Sequence, residues 1–164
     1  MVNCCSTVFE CCAFWFYATM HCMSGAINFV ESRWQYLSPF SAHEVEIDDV
    51  VYKTAEHAYQ SLRMLPDARQ KIMNTTSPMD AWREAQLAKE RKEVDDDCDK
   101  DELMELIFRA KLIQHQDIKD ILLESDDSPL LKVYPTDYYW GTGADGSGEN
   151  KMGKLWMRLR DELK

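Results

Sequence analysis

Apolar residues recur at two spacings along this chain, and the points where one spacing gives way to the other divide it into elements. Ala26 to Val30 reads as a short strand after the break at Ser24-Gly25, and Ser38-Pro39-Phe40-Ser41 as a turn. Val45-Glu46-Ile47 and Val50-Val51-Tyr52 flank Asp48-Asp49, the pattern of a hairpin with an acidic turn. The period then becomes helical. Thr54 is a good N-cap, and Ala55, Ala58, Tyr59 and Leu62 follow on one stripe before Pro66. Asp67 is positioned to cap a short helix through Met73. Ser77-Pro78 opens another, with Ala81, Trp82, Ala85 and Ala88 on an apolar side that reads as core.

The stretch from Lys89 to Lys100 is almost all charge and reads as a solvated helix end and loop. Asp99 with Glu102 makes a capping-box start for a helix carrying Leu103, Met104, Ile107, Phe108 and Ala110. Asp117 starts a further helix, Leu130 to Tyr134 suits a strand, and a last helix runs from about Lys151 to Leu163. The pattern predicts an α+β fold: one predominantly helical domain with a small antiparallel sheet, residues 25–164, after an N-terminal extension, residues 1–24.

Length and charge narrow the function classes. A chain of 164 residues can bury a sizeable core as one domain. A net charge of −10 argues against stable nucleic-acid binding, which needs clustered cations, but leaves room for a small phosphorylated ligand held by a few local donors. Cys4, Cys5, Cys11, Cys12 and Cys22 crowd the first stretch and only Cys98 lies beyond. This lopsided set, with no CxxC pair, reads as free thiols in a reducing compartment, the cytoplasm. The aromatic N-terminal segment is too short to span a bilayer; it reads as an extension or one extra packing element, with cysteine acylation as the alternative.

Two stretches carry chemistry. In Thr54-Ala55-Glu56-His57-Ala58-Tyr59-Gln60, Glu56 falls on the edge of the buried stripe with Gln60 and Arg63 on its flank, while His57 points away and reads as solvent-facing or supporting. A half-buried carboxylate among polar neighbours can act as a general acid or base; a Glu in a first helical turn also serves the helix dipole alone. The second stretch is Asp137 to Asn150, which holds four of the six glycines directly after Asp137 and three aromatics. Glycines allow close backbone approach to a ligand, Asn150 is set to cap the last helix, and the helix N-terminus could face an anion. A flexible glycine loop with an aromatic plug is the other reading. Neither a P-loop nor a dinucleotide fingerprint is present.

Taken in order, Thr54 to Gln60, Ser77-Pro78, Arg109-Ala110-Lys111, and Tyr139-Trp140-Gly141 through Gly148-Glu149-Asn150-Lys151-Met152-Gly153-Lys154-Leu155 resemble the NADAR (YbiA-like) family, with Phe29 and Leu37 to Phe40 fitting its opening motifs. The resemblance covers about Ala26 to Leu163. It implies an N-glycosidase acting on a ribosylaminopyrimidine phosphate of riboflavin synthesis or on ADP-ribosylated guanine, with no cofactor and no metal. It implies catalytic roles for Glu56, as general base or electrostatic stabiliser, and for its partner Asp137. Trp140, with Phe29 or Tyr139, would stack on the base, and Asn150 with the loop around Gly141 and Gly143 would hold phosphate or ribose. Arg63 and Lys111 are further substrate-binding candidates, each also readable as half of a surface ion pair.

The chain departs from the family pattern at Asp49, where Gly is usual, at Pro39, which replaces Asn, and around Ala85, where a Gly-Arg pair is absent. The family's Trp before the long helix aligns on Asp96. An intact Glu56 and Asp137 favour an enzyme; the missing Trp favours a non-catalytic module that binds ADP-ribose or a related metabolite.

Overall fold

A computed structural model describes residues 25–164; the cysteine-rich extension, with its thiol and acylation readings, lies outside them. Strand β1 (Ile27–Asn28) pairs with β4 (Leu130–Leu131). Strands β2 (Val45–Ile47) and β3 (Val50–Tyr52) form the expected antiparallel hairpin. Its turn is built from Asp48 and Asp49, both left-handed at φ 51° and 61°, as a tight two-residue hairpin turn requires. The β1–β4 pair is parallel, because its strands come from opposite ends of the domain rather than across a turn. Both strands are shorter than the apolar runs suggest. The Asn28 side chain accepts from the N–H groups of Val30 and Val133, both at 3.3 Å, taking the place of further ladder bonds.

The helices are set by their caps. Before α1 (Ala55–Leu62), Thr54 Oγ1 accepts from His57 N at 3.3 Å. Helix α2 (Pro66–Met73) starts at its proline instead of being capped by Asp67. Ser77 caps α3 (Pro78–Glu90) through Asp80 N at 3.1 Å, and Asp99 caps α4 (Lys100–Gln114) through Asp101 N and Glu102 N. Helix α5 (Gln116–Glu124) starts after His115, which leaves Asp117 free to bond His43 Nε2 at 3.0 Å. Helix α6 (Lys151–Asp161) closes the chain, and a 3-10 helix, Ser32–Leu37, follows β1.

Helix α1 sits at the centre, packed by α2, α3, α4 and β3, so every residue from Ala55 to Ser61 is buried. That corrects the reading of His57 as solvent-facing: it points away from the Ala55–Ala58 stripe, yet α2 and α3 cover that side too, and it is 1% exposed. The main core gathers apolar side chains of β2, α1, α4, α5 and α6, with Phe108 stacked on Trp156 at 4.2 Å. Trp156 Nε1 donates to Leu37 O at 2.8 Å and ties α6 to the 3-10 helix. A second core joins Met64, Ala68 and Ile72 to Ala81, Ala85 and Ala88. Val94 packs on it and bridges to Met64, so the charged stretch is pinned to the body rather than simply solvated. Trp82 does not belong to this core. The small alanine face lets α3 pack closely, and Trp82, about 100° round the helix from Ala81, is left 43% exposed.

Candidate active site

A cavity of about 590 Å³ opens beside α1. Glu56, Tyr59, Gln60 and Arg63 line it from α1, and Met79, Trp82 and Lys89 from α3. Ser38, Phe40 and Ser41 contribute one lip, and Lys132, Tyr134, Asp137 and Trp140 the segment after β4. Glu56 is held there by two hydrogen bonds. Its backbone N–H, unpaired within the first helical turn, donates to Pro39 O at 2.9 Å. Its carboxylate accepts from Gln60 Nε2 at 2.7 Å.

The electrostatics separate the two carboxylates. Burial pushes the Glu56 pKa above its ordinary value; the Gln60 hydrogen bond and the cations Lys132, Arg63 and Lys89 oppose this without cancelling it. Burial also raises Asp137, but the Lys132 ammonium and the N–H groups behind it outweigh burial and hold its carboxyl below the usual range. Lys132 Nζ lies 2.7 Å from Asp137 Oδ2, while Oδ1 accepts from Trp140 N at 2.8 Å and Tyr139 N at 3.2 Å. Asp137 is thus an ionised clamp on Lys132 and on the backbone that carries Trp140. The two titratable groups are pushed in opposite directions: burial favours the neutral form of Glu56, and Lys132 favours the ionised form of Asp137. Burial pushes Tyr59, edge-on to Trp140 at 5.8 Å, up to about 12, so it remains a neutral phenol.

Of the residues singled out in the sequence, Glu56, Asp137, Trp140 and Arg63 meet at this cavity and the others do not. Phe29 is fully buried in the main core. Tyr139 stands behind Trp140, with its hydroxyl on Asp101 and Lys151 and its ring under Lys100 at 3.4 Å. Gly141 and Gly143 serve the loop itself. A Cβ on Gly141 would lie 2.7 Å from Lys132 O, and Gly143 sits at φ 70° against the Tyr138 ring. Asn150 makes no side-chain cap. Its amide bonds β4 on both sides, accepting from Lys132 N at 3.0 Å and donating to Leu130 O at 2.9 Å. The first N–H groups of α6 are also taken, Lys151 N by Tyr139 O and Met152 N by Trp140 O, so that helix end does not present them to an anion. Lys111 is neither a surface ion pair nor a cavity residue. It is fully buried and donates to Tyr36 O (2.6 Å), Ser38 O (2.8 Å) and Ser41 Oγ (2.6 Å), holding the turn that accepts the Glu56 N–H.

Lys89, Lys132 and Met79 escaped the sequence reading, and Trp82, weighed there as a stand-in for the missing Trp, reads more readily as core. Met79, Trp82 and Lys89 lie on one face of α3, and that spacing was the available signal; it was hidden because Trp82 adjoins the alanine stripe. Among the described residues no three His, Cys, Asp or Glu side chains are grouped to hold a metal ion, and no helix is long and apolar enough to cross a membrane.

Residues 16–164 match the family model of the NADAR domain. The chain belongs to the NADAR family. The N-glycosidase YbiA of Escherichia coli is 31% identical over 140 residues, covering 84% of this chain and 88% of that one. Its NMR structure matches with a TM-score of 0.70 at 30% identity, over 81% of this chain and 80% of YbiA. An N-glycosidase of Nostoc punctiforme is 30% identical over 131 residues, 77% of this chain and 84% of the relative. A chloroplastic riboflavin biosynthesis protein of Zea mays is 30% identical over 142 residues, 77% of this chain but 23% of its own length. In this NADAR protein Asp96 is exposed and does not line the cavity, whereas Trp82 reaches the cavity from α3.

Proposed function

We propose that this protein hydrolyses the N-glycosidic bond of an anionic ribosylated base, with Glu56 as the residue that handles the proton. The observation that carries this is a buried carboxyl, raised by its burial, on the wall of a cavity shared with three cations and two tryptophans. The names of the relatives support the bond class, and the maize relative supports a riboflavin-pathway substrate. We assign the substrate to a ribosylaminopyrimidine phosphate or to ADP-ribosylated guanine. The cytoplasmic placement belongs to the same proposal.

The chemistry follows from the geometry. As the C1′–N bond breaks, its electron pair leaves with the base nitrogen and the ribose gains oxocarbenium character, which a nearby carboxylate stabilises. Water bonds to C1′, Glu56 takes the proton that water loses, and the base nitrogen receives a proton in turn. A carboxyl whose pKa is raised by burial binds a proton more readily than a free one, so it can do both. Asp137 stays ionised and keeps Lys132 and Trp140 in position. Trp140 and Trp82 offer faces on which a planar base stacks.

The test is base release. Purified protein is incubated with ADP-ribosylated guanosine, and separately with the ribosylaminopyrimidine phosphate, and the products are separated by chromatography. Free base is expected from wild type and not from Glu56→Gln, and the substrate cleaved names the class. If neither substrate is cleaved while ADP-ribose still raises the melting temperature, the protein is a binding module and the hydrolase reading is overturned.

A further inference from the structure

The cations on the cavity wall are not equivalent. Lys132 is neutralised by Asp137 at 2.7 Å. Arg63 and Lys89 have no carboxylate within ion-pair distance among the described residues, although the chain carries 29 acidic residues against 19 basic ones. The Arg63 Cζ lies over the Tyr59 ring, 4.6 Å from its centroid, and the guanidinium donates to no protein acceptor among the described residues. Lys89 bonds only the neutral Gln86 side chain, at 3.2 Å. The two cations are close enough to repel. Lys89 is lowered by burial and then by Arg63, with Glu56 pulling the other way. An uncompensated like-charge pair facing a cavity is unfavourable until an anion enters.

We infer that Arg63 and Lys89 form the phosphate subsite of this cavity, taking the phosphoryl group on the ribose 5′ oxygen while C1′ lies at Glu56. This rests on the proposed reaction for the identity of the sugar, but not for the anion. It moves the phosphate from the glycine loop and the α6 N-terminus, where the amides are already bonded, to α1 and α3. The contact with the ring holds the guanidinium in place before the anion arrives. A monoester and a sugar diphosphate present the same phosphoryl oxygens, and the cavity wall beyond Lys89 separates them. Trp82 lies two helical turns back along α3, about 10 Å at 1.5 Å per residue, on the same cavity wall as Met79.

The experiment is calorimetric titration of the full chain with ribose 5-phosphate and with ADP-ribose, for wild type, Arg63→Gln, Lys89→Gln and, as a control of equal charge change, Lys154→Gln on the exposed face of α6. Each site variant is expected to weaken both ligands about 10- to 100-fold, the size of a lost charge-assisted contact, with Lys154→Gln within twofold of wild type and Lys89→Arg recovering most of the affinity. Tighter binding of ribose 5-phosphate assigns the subsite to a monoester, and tighter binding of ADP-ribose to a diphosphate. Two results overturn the inference: site variants that bind as wild type does, or a control that loses as much as they do. Failure to bind either ligand also overturns it. Because binding is read without turnover, a wild type that binds but releases no base sinks the hydrolase reading and leaves the subsite. One that releases base with an unchanged KM in Lys89→Gln does the reverse.

Discussion

Glu56→Gln should make the protein inactive and more stable at once, and the gain in stability should depend on pH. The wild-type carboxyl is 5% exposed with one side-chain donor, Gln60, and burial raises its pKa. An acid whose folded pKa exceeds its unfolded value of about 4.3 contributes its full stability below that value and loses it as pH rises through the folded pKa. Above that unfolded value the wild type therefore carries a cost for burying its carboxyl that an amide of the same shape does not. The Gln side chain can still accept from Gln60 and turn its NH₂ to the cavity. A gain of about 1–2 kcal/mol is expected at pH 7, the usual size for relieving strain at an active site. At about 2–4 °C per kcal/mol this raises the melting temperature by roughly 2–8 °C. Urea unfolding of both proteins at pH 4, 5.5, 7 and 8 reads the difference directly, since every other titrating group cancels. The gap should close near pH 4 and open toward neutrality, while base release falls about 10²–10⁴-fold, the contribution of general acid–base catalysis. A gap that does not change with pH, or a variant less stable than wild type at pH 7, would refute the burial argument. Activity retained within tenfold would refute the role of Glu56.

Three further outcomes follow from single contacts. Lys111→Met takes a buried donor from Tyr36 O and Ser38 O and leaves each only its Ser41 donor, so stability at pH 8 should drop by about 1–3 kcal/mol in urea melts and base release should fall as the turn under Glu56 loosens. Burial pulls Lys111 down to about 7 against about 10.4 unfolded, so its ammonium costs stability below pH 7. That cost fades as pH rises toward 10, a rise the Met variant should lack. Trp82→Ala should raise KM about tenfold with stability unchanged within about 0.5 kcal/mol, because the ring lies on the cavity and not in the alanine core; a loss above about 2 kcal/mol would return Trp82 to the core. Asp49→Gly should add about 0.5–1 kcal/mol to the thermal or urea midpoint free energy, since Asp49 is held at φ 61° in a turn that suits glycine.

What was legible in the sequence is what short-range chemistry controls. Thr54, Ser77 and Asp99 cap their helices because a side-chain oxygen reaches its own backbone two or three residues on whatever the rest of the chain does, and Asp48-Asp49 turns the hairpin because Asp tolerates the left-handed backbone a tight turn requires. Glu56, Asp137, Trp140 and Arg63 could be picked out as a chemical group because residue type and order alone mark them. The sidedness of each element was not legible. Helical spacing says that Glu56 and His57 point in different directions, but only the packing of α2 and α3 around α1 buries both. The same spacing puts Trp82 beside the alanines, and only the closeness of that alanine contact turns the ring out into the cavity. Lys111 looked like a surface charge until the Tyr36–Ser41 turn folded over it with three oxygens. The glycine loop looked like a ligand cradle until its glycines and the Asn150 amide proved to be engaged with the chain's own backbone. The sequence therefore determined three of the caps, the hairpin turn and which carboxylates are candidates for the chemistry. The tertiary structure decided which faces are covered, because burial is a property of pairs of elements and a single element's pattern does not specify its partner.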